Sequence, residues 1–159
     1  MALPDSSFIL HNSAFLPTRS HGNRDTELAL MRVFRRQGIR GWRRHRAVFG
    51  RPDFVFAKAR VTVFVDGCFW HGCPKHSTVP ATNRAFWIRK LTANRVRDRL
   101  VNRTLRGLGW RVLRIWEHEL ARKKERRLVR RVQRMLTDER PLTHRMAGNA
   151  LATDQQVHG

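Results

Sequence analysis

The chain is poor in the residues that secreted and membrane proteins need. It has 2 cysteines, no tyrosine, and 12 acidic residues against 33 lysines and arginines. Two cysteines cannot build a disulfide scaffold, and no apolar run approaches the ~18 residues of a spanning helix. The N-terminus also lacks the charged-then-apolar order of a secretory signal. The sequence therefore predicts an intracellular protein with no membrane partner.

The net charge of the chain is strongly positive. The formal net charge is +21 over 159 residues, and the basic residues are spread along the whole chain. Such a field favours a polyanion, because each phosphate that is neutralised releases counterions. The length suits one domain. We therefore expect a single domain that binds nucleic acid.

The pattern of apolar residues predicts an α/β or α+β domain with irregular ends. Residues 1–23 read as an irregular arm and residues 138–159 as a disordered tail, because neither has a sustained period. A helix is expected from Asp25 or Thr26 to Gly38. A basic, turn-rich connection should then lead to a β-hairpin within residues 54–67, whose second strand is apolar at nearly every position, as a strand covered on both faces would be.

Three more elements complete the predicted fold. A long basic helix should run from Asn83 to Arg106, followed by a strand in WRVLRIWE. A last helix is expected in ELARKKERRLVRRVQRML, ending near Thr137. This order predicts a sheet with helices packed on it.

Asp53 lies at the start of the hairpin's first strand, directly after Pro52. If it lies opposite the end of the next strand, near Val65 and Asp66, its carboxylate could bind a hard divalent cation. Such a cation polarises a phosphodiester and lowers the pKa of a bound water. The alternative is that Asp53 caps a turn, as Pro-Asp pairs commonly do.

Cysteine and histidine side chains cluster after the hairpin. Cys68, Cys73 and His76 lie within nine residues, and His118 follows the third predicted strand. Zinc prefers these ligands, and a closed structural site needs four of them. The alternative is that the cysteines are small buried hydrophobes and the histidines are surface residues.

His71 lies between the two cysteines, and it is the histidine that we do not assign as a metal ligand. An ordinary imidazole can take a proton from an attacking water near neutral pH. The alternative is that His71 is a fifth candidate zinc ligand.

Aromatic and basic side chains surround this segment. Phe69, Trp70 and Trp87 would be core residues in a neutral protein, but among arginines they could stack on bases or insert between them. Arg95 and Arg97 of NRVRDR are candidates for phosphate contacts, which position DNA without reading its sequence.

Four separated segments resemble, in the same order, the very short patch repair (Vsr) DNA mismatch endonucleases, a branch of the PD-(D/E)XK nuclease superfamily: RPDFVF, VFVDGCFWHGCPKH, FWIRKLTANRVRDR and LGWRVLRIWEHEL. The resemblance implies an endonuclease domain over residues 24–137. Its fold would be a restriction-endonuclease-like mixed sheet flanked by helices, with a structural zinc site. Its activity would be magnesium-dependent nicking of one strand of double-stranded DNA at a T:G mismatch, the product of 5-methylcytosine deamination.

The resemblance also implies a role for individual residues. Asp53 and the main-chain carbonyl of Val65 would bind Mg²⁺, and His71 would be the general base. Phe69, Trp70 and Trp87 would insert beside the mismatch. Glu27 would be an acid on the first helix near the metal, and the Zn²⁺ ligands would be Cys68, Cys73, His76 and His118. Asp66 differs from the residue of the family at its position; in the same mechanism it could orient the histidine or add a metal contact.

The same resemblance predicts a bacterial cytoplasmic, nucleoid-associated monomer, with mismatch-repair proteins as further partners. Two other functions are compatible with the residues. One is a defence or restriction nuclease of the same fold that cuts other DNA substrates on both strands. The other is a zinc-stabilised DNA-binding module without turnover, in which Asp53 is structural.

Overall fold

The computed structural model describes residues 23–138, so the predicted arm up to residue 22 and the predicted tail from residue 139 lie outside the described residues. Three helices and four strands follow one another as α1 (Asn23–Arg36), β1 (Trp42–Arg44), β2 (Phe54–Phe56), β3 (Val61–Asp66), α2 (Arg84–Gly107), β4 (Arg111–Trp116) and α3 (Glu125–Thr137). None of the helices in this part of the chain is long and apolar enough to cross a membrane.

The four strands form one mixed sheet in the order β1-β2-β3-β4. The β1–β2 and β2–β3 pairs are antiparallel, as expected for the predicted hairpin. β3 and β4 are parallel, with Phe64 opposite Arg114 and Asp66 opposite Trp116. Because parallel strands end at the same edge of a sheet, the segments that follow Asp66 and Trp116 meet there.

Helices cover both faces of the sheet. Successive side chains of a strand point to opposite faces, and β3 is buried at all six positions. Val61, Val63 and Val65 join the core formed with α1 and α3, whereas Phe64 packs with residues of α2. The prediction of a strand covered on both sides, within a mixed α/β fold, is confirmed.

The first helix follows the predicted pattern. Leu30, Val33 and Phe34 face the core. The helix is followed by Gly38 at φ 66°, a left-handed conformation that glycine adopts without steric cost. The amide of Ile39 donates to the carbonyl of Phe34 at 2.9 Å, which closes the C-terminus. The expected end is confirmed, and the described helix begins at Asn23, two residues before the predicted cap at Asp25.

Two sequence-based assignments are wrong. The basic connection contains a strand, β1, whose Trp42 packs edge-on against Phe54 with ring centroids 5.4 Å apart. The last helix begins at Glu125, because short 3₁₀ turns occupy Glu117–Glu119 and Arg122–Lys124. Alternation of charged and apolar residues does not distinguish such turns from the first turns of an α-helix.

A polar contact joins the two helices on one face. Glu125, at the start of α3, accepts hydrogen bonds from Arg36 and from Gln37, the latter at 2.8 Å. These hydrogen bonds hold the pKa of the Glu125 carboxyl below its ordinary value. The contact therefore stabilises the packing of α3 against the end of α1 only while Glu125 is ionised.

Replacing Glu125 by Gln should lower the melting temperature at pH 7. A carboxyl whose pKa is depressed by folding contributes stability above its unfolded pKa of about 4.3, and that contribution disappears as the pH falls through the folded value. The difference in melting temperature between wild type and Glu125→Gln should therefore shrink as the pH falls from about 5 to about 3, the range in which Glu125 becomes protonated. Thermal unfolding followed by circular dichroism measures it. A difference that is constant with pH would contradict this account.

Candidate active site and metal centre

An acidic cluster lies beside the end of β3. Asp53 precedes β2, and its Oδ2 accepts a hydrogen bond from the amide of Val65 at 2.7 Å. Glu27 of α1 is close enough to Asp53 to share a hydrogen bond and to repel its charge. The Nη2 of Arg44, on β1, is 2.5 Å from Oε2 of Glu27. The structure thus brings the predicted Asp53, Val65 and Glu27 together.

The electrostatics of this cluster favour a cation. Burial raises the pKa of Asp53 to about 8, with smaller contributions from the charges of Glu27 and Asp66, although the hydrogen bond from Val65 acts in the opposite direction. A raised carboxyl pKa means that negative charge is poorly compensated there. A divalent cation with oxygen ligands would supply that compensation, so these residues fit one.

His71 lies on the loop after β3 and is held by an aspartate that the sequence analysis did not single out. Its Nδ1 is 2.6 Å from Oδ2 of Asp98, on α2. Burial acts to raise the pKa of Asp98, but the hydrogen bond from His71 and the charge of Arg114 hold it below its ordinary value. An ionised Asp98 can only accept, so Nδ1 donates; in the neutral imidazole with this tautomer, Nε2 is the nitrogen with the free lone pair.

Asp66 is held mainly by an arginine. It is 3% exposed, and its two oxygens accept from Nε and Nη2 of Arg114 at 2.6 and 2.7 Å. Its Oδ1 is 3.7 Å from Nδ1 of His71. The carboxylate is thus near the imidazole, but its closest partner is the guanidinium on the neighbouring strand.

The four predicted zinc ligands converge. One ligand atom from each of Cys68, Cys73, His76 and His118 lies within 4.8 Å of the others. The Sγ of Cys68 is 3.2 Å from Nδ1 of His118, and the Sγ of Cys73 is 3.6 Å from Nδ1 of both His76 and His118. Cys73 and His118 are 45 positions apart along the chain. They meet because β3 and β4 end side by side.

These distances fit a tetrahedral zinc ion. With Zn–S near 2.3 Å and Zn–N near 2.0–2.1 Å, a sulfur and a nitrogen on one zinc lie roughly 3.5 Å apart. Burial raises the pKa of the Cys68 thiol, as expected for a thiol that ionises mainly when it binds a metal. The donor set and its spacing therefore match a closed site with two sulfur and two imidazole ligands.

Three aromatic rings form a half-buried cluster outside the two cores. Phe69 lies 5.1 Å from Trp70 and 5.3 Å from Trp87 between ring centroids, and each pair is edge-to-face. The Nδ2 of Asn94 donates to the carbonyl of Trp70 at 2.9 Å, which attaches the loop to α2. All three rings keep part of their surface exposed, so they are available to a partner.

The two arginines predicted to bind DNA lie on α2 beside this loop. Arg95 is exposed, and its guanidinium lies over Gly72, where a Cβ would come within 2.3 Å of Nη2. Arg97 is partly exposed and lies close enough to Asp98 to lower its pKa by its charge. A cleft is lined by residues of β3, the loop, α2 and β4: Asp66, His71, Arg95, Asp98, Arg99, Arg114 and Trp116.

Asp98 and Arg114 are the functional candidates that sequence analysis missed. A sequence signal existed for Asp98, since it is an isolated carboxylate in the basic helix α2, four residues after Asn94 and four before Asn102. All three polar side chains form hydrogen bonds with residues of the loop or of β4: Asn94 with Trp70, Asp98 with His71, and Asn102 with Arg114. A stripe with this i, i+4, i+8 spacing lies on one face of a helix. No comparable signal marks Arg114, because arginines are abundant throughout.

Comparison with known proteins identifies the family. The sequence model described as DNA mismatch endonuclease Vsr matches residues 14–77. The chain is 34% identical over 134 residues to the type II nicking enzyme V.NmeAIP of Neisseria meningitidis. The aligned region covers 79% of this chain and 95% of that enzyme. It is 38% identical over 131 residues to the DNA mismatch endonuclease Vsr of Escherichia coli, covering 80% and 77% of the two chains.

A shorter segment is more similar to a third enzyme. Over 69 residues the chain is 56% identical to the type II nicking enzyme V.NaeI of Lentzea aerocolonigenes, which covers 43% of this chain and 42% of that enzyme. The fold, the site and these similarities place the protein in the class of DNA endonucleases. Within that class, it belongs to the Vsr family of DNA mismatch endonucleases.

Replacing Gly72 by Ala should displace Arg95 and weaken DNA binding. Gly72 and Gly38 both have positive φ, 64° and 66°, but a Cβ at Gly38 has no neighbour within 4 Å. Both substitutions should cost about 1–2 kcal/mol of stability for the left-handed backbone. Only Gly72→Ala should lower the affinity for duplex DNA and reduce its log–log salt slope by about 1, as loss of one phosphate contact does.

Gly38→Ala is the matched control, and fluorescence anisotropy with a labelled duplex measures both variants. Equal DNA affinity in the two variants would contradict the assignment of Arg95 to the DNA surface.

Proposed function

We propose that this chain nicks one strand of duplex DNA at or next to a T:G mismatch, in the very short patch repair of deaminated 5-methylcytosine, with Mg²⁺ as cofactor. The observation that carries the proposal is the position of two groups beside the end of β3, each of them near Asp66. One is Asp53 with Glu27, and the other is the His71–Asp98 hydrogen bond. The relatives named nicking enzymes and mismatch endonuclease support it.

Asp53 and the main-chain carbonyl of Val65 would hold the Mg²⁺, with Glu27 beside them. When bound, the cation supplies charge that polarises the scissile phosphodiester and lowers the pKa of a water. Glu27, next to Asp53, forms an ion pair with Arg44. These carboxylates would thus supply the negatively charged oxygen ligands that Mg²⁺ prefers, while the ion keeps several of its waters.

His71 would act as the general base. With Nδ1 donating to Asp98 at 2.6 Å, its Nε2 is the atom that accepts the proton of the attacking water. Asp98 orients the ring and stabilises the imidazolium that forms. Asp66, whose oxygens bond to Arg114, would contribute by positioning these groups.

The half-buried aromatic cluster and the arginines of α2 would form the DNA surface. Phe69, Trp70 and Trp87 would insert beside the mismatch, where unstacking costs least because the pair is already weakened. Arg95 and Arg97 would bind phosphates and fix the duplex relative to the cleft.

The Cys/His cluster would bind structural Zn²⁺. Two of its ligands, Cys68 and Cys73, flank His71 and the two aromatic residues in sequence. Sulfur and imidazole suit Zn²⁺, and the carboxylates near β3 suit Mg²⁺. Zn²⁺ would therefore fix the loop that carries the general base, while Mg²⁺ would act on the phosphate.

Four further expectations rest on the resemblance to Vsr enzymes. The mixed sheet would be of the restriction-endonuclease-like PD-(D/E)XK type, and the chain would act as a monomer. Its DNA substrate would place it at the nucleoid in the bacterial cytoplasm. Mismatch-repair proteins would be its further partners.

Purified protein should contain one equivalent of zinc per chain, and Cys68→Ser should lose both the zinc and the folded state. His71→Gln is the matched control, since His71 lies on the same loop but bonds to Asp98 instead of the cluster. It should keep its zinc and its melting temperature to within a few degrees. Inductively coupled plasma mass spectrometry and thermal unfolding measure both. Folded, zinc-free wild type would refute the zinc assignment, and loss of zinc from His71→Gln would make that histidine a ligand.

With Mg²⁺ present, the protein should break one strand of a duplex that carries a T:G mismatch and leave matched DNA intact. The measurement uses a panel of end-labelled duplexes, matched or bearing each single mismatch, and maps the broken strand on a denaturing gel. Asp53→Asn should lower the rate at least about 100-fold, because it removes a charged ligand of the cation that activates the phosphate.

Asp25→Asn is the control for that variant, since it removes the same charge from an exposed position in the first turn of α1. Unchanged cleavage by Asp53→Asn would refute the catalytic role of Asp53. Cleavage of both strands, or of matched duplexes equally, would refute the mismatch-nicking function.

A further inference from the structure

Arg114 contacts both carboxylates near His71, those of Asp66 and Asp98. It extends from β4 toward α2, on the sheet face of Phe64, and its guanidinium lies 4.9 Å from the centre of that ring. Nε and Nη2 donate to the two oxygens of Asp66 at 2.6 and 2.7 Å. Nη2 also forms an ion pair with Oδ1 of Asp98 at 2.9 Å. Nη1 donates to Asn102 at 3.2 Å.

Two carboxylates compete for one nitrogen of the imidazole. Oδ2 of Asp98 is 2.6 Å from Nδ1 of His71, and Oδ1 of Asp66 is 3.7 Å from the same atom. The guanidinium occupies both oxygens of Asp66 but only Oδ1 of Asp98. Oδ2 of Asp98 is therefore the oxygen left for the imidazole.

We propose that Arg114 is a positioning residue for the reaction: its guanidinium selects Asp98 over Asp66 as the hydrogen-bond partner of His71 and so fixes the direction of the imidazole. This inference rests on the proposed function of His71 as general base. Asp66 is the anchor that holds the guanidinium in place, and Asp98 is the group through which Arg114 acts.

The shape of the guanidinium is essential to this role. Its planar donors bind one carboxylate in a bidentate manner and reach a second, whereas a lysine ammonium is a compact point charge on a flexible stem. Loss of the guanidinium would free Asp66 to compete for Nδ1. The imidazole would then alternate between two orientations, and Nε2 would face the cleft in only one of them.

The first test compares Arg114→Gln and Arg114→Lys with the wild type in steady-state nicking of a T:G duplex. Arg114→Gln should lower kcat about 10- to 100-fold, the usual cost of losing a group that orients a ligand or base. KM for DNA should change by less than about twofold, because the interaction acts on the chemical step and not on binding. Arg114→Lys should recover only part of the loss.

Arg111→Gln is the matched control. It removes the same charge from the same strand, at the opposite end of β4, where Arg111 donates to the carbonyl of Ala59 at 2.7 Å. Its kcat should equal that of the wild type. Thermal unfolding and metal content, measured on each variant, show whether Arg114→Gln is folded, and Arg114→Lys supplies the comparison if it is not.

A double-mutant cycle with Asp98→Asn tests whether Arg114 acts through Asp98. If it does, adding Arg114→Gln to Asp98→Asn should lower kcat by less than about twofold further, since residues that act as a unit are not additive. Full multiplication of the two single losses would overturn the proposal.

The nitrogen spectrum of His71 gives a readout that needs no turnover. Because both carboxylates accept from Nδ1, long-range ¹⁵N–¹H correlation should show that nitrogen protonated in both proteins, but the Nδ1 proton signal should be single and narrow in the wild type and shifted or broadened in Arg114→Gln. An identical Nδ1 proton signal in the two proteins would overturn the proposal. If the wild type nicks no duplex, the proposed function fails, whereas this comparison still decides the role of Arg114.

Discussion

The parallel pairing of β3 with β4 is the constraint on which both sites depend. Asp66 lies opposite Trp116 and Phe64 opposite Arg114, so the two strands end at one edge of the sheet. The loop that follows Asp66 and the 3₁₀ turn that follows Trp116 then lie side by side. A shift of two residues in this register would separate Cys68 from His118 and Asp66 from Arg114. Each site therefore depends on the pairing of strands buried on both faces.

Beyond the edge of the sheet, the loop between β3 and α2 carries residues of both candidate sites. Cys68 and Cys73 bracket His71 in sequence, and α2 supplies Asn94 and Asp98 to the same loop. Residues 67–83, between β3 and α2, form no helix or strand, so ordering their backbone costs conformational entropy. Side-chain hydrogen bonds from α2, the aromatic cluster and the converging Cys/His side chains hold this loop in place. This arrangement explains why a basic protein places sulfur and imidazole ligands next to a cluster of carboxylates.

Much of the fold follows from local sequence pattern, and the parts that do not follow have physical reasons. The apolar run of β3 and the periodicity of α1 predict the hairpin, the doubly covered strand and the first helix. β1 is missed because Trp42–Arg44 is three residues long and mostly basic, as an edge strand can be. The ligand cluster is predictable because three of its residues are close in sequence. Asp98 carries only a weak signal, its isolated position in the basic helix α2, because its role arises from a contact with His71 across 27 residues. Arg114 carries none, since its role arises from a contact with Asp66 across 48 residues.

The central claim is that Asp53 and His71 serve one phosphate from the two sides of the β3 terminus. The most direct measurement is a crystal structure with a T:G duplex and Mn²⁺, in which anomalous scattering locates the cation. We expect one Mn²⁺ bound by the carboxylate of Asp53 and the carbonyl of Val65, with Nε2 of His71 facing the phosphate that the cation contacts. A cation bound away from Asp53, or an Nε2 that faces away from that phosphate, would contradict the account.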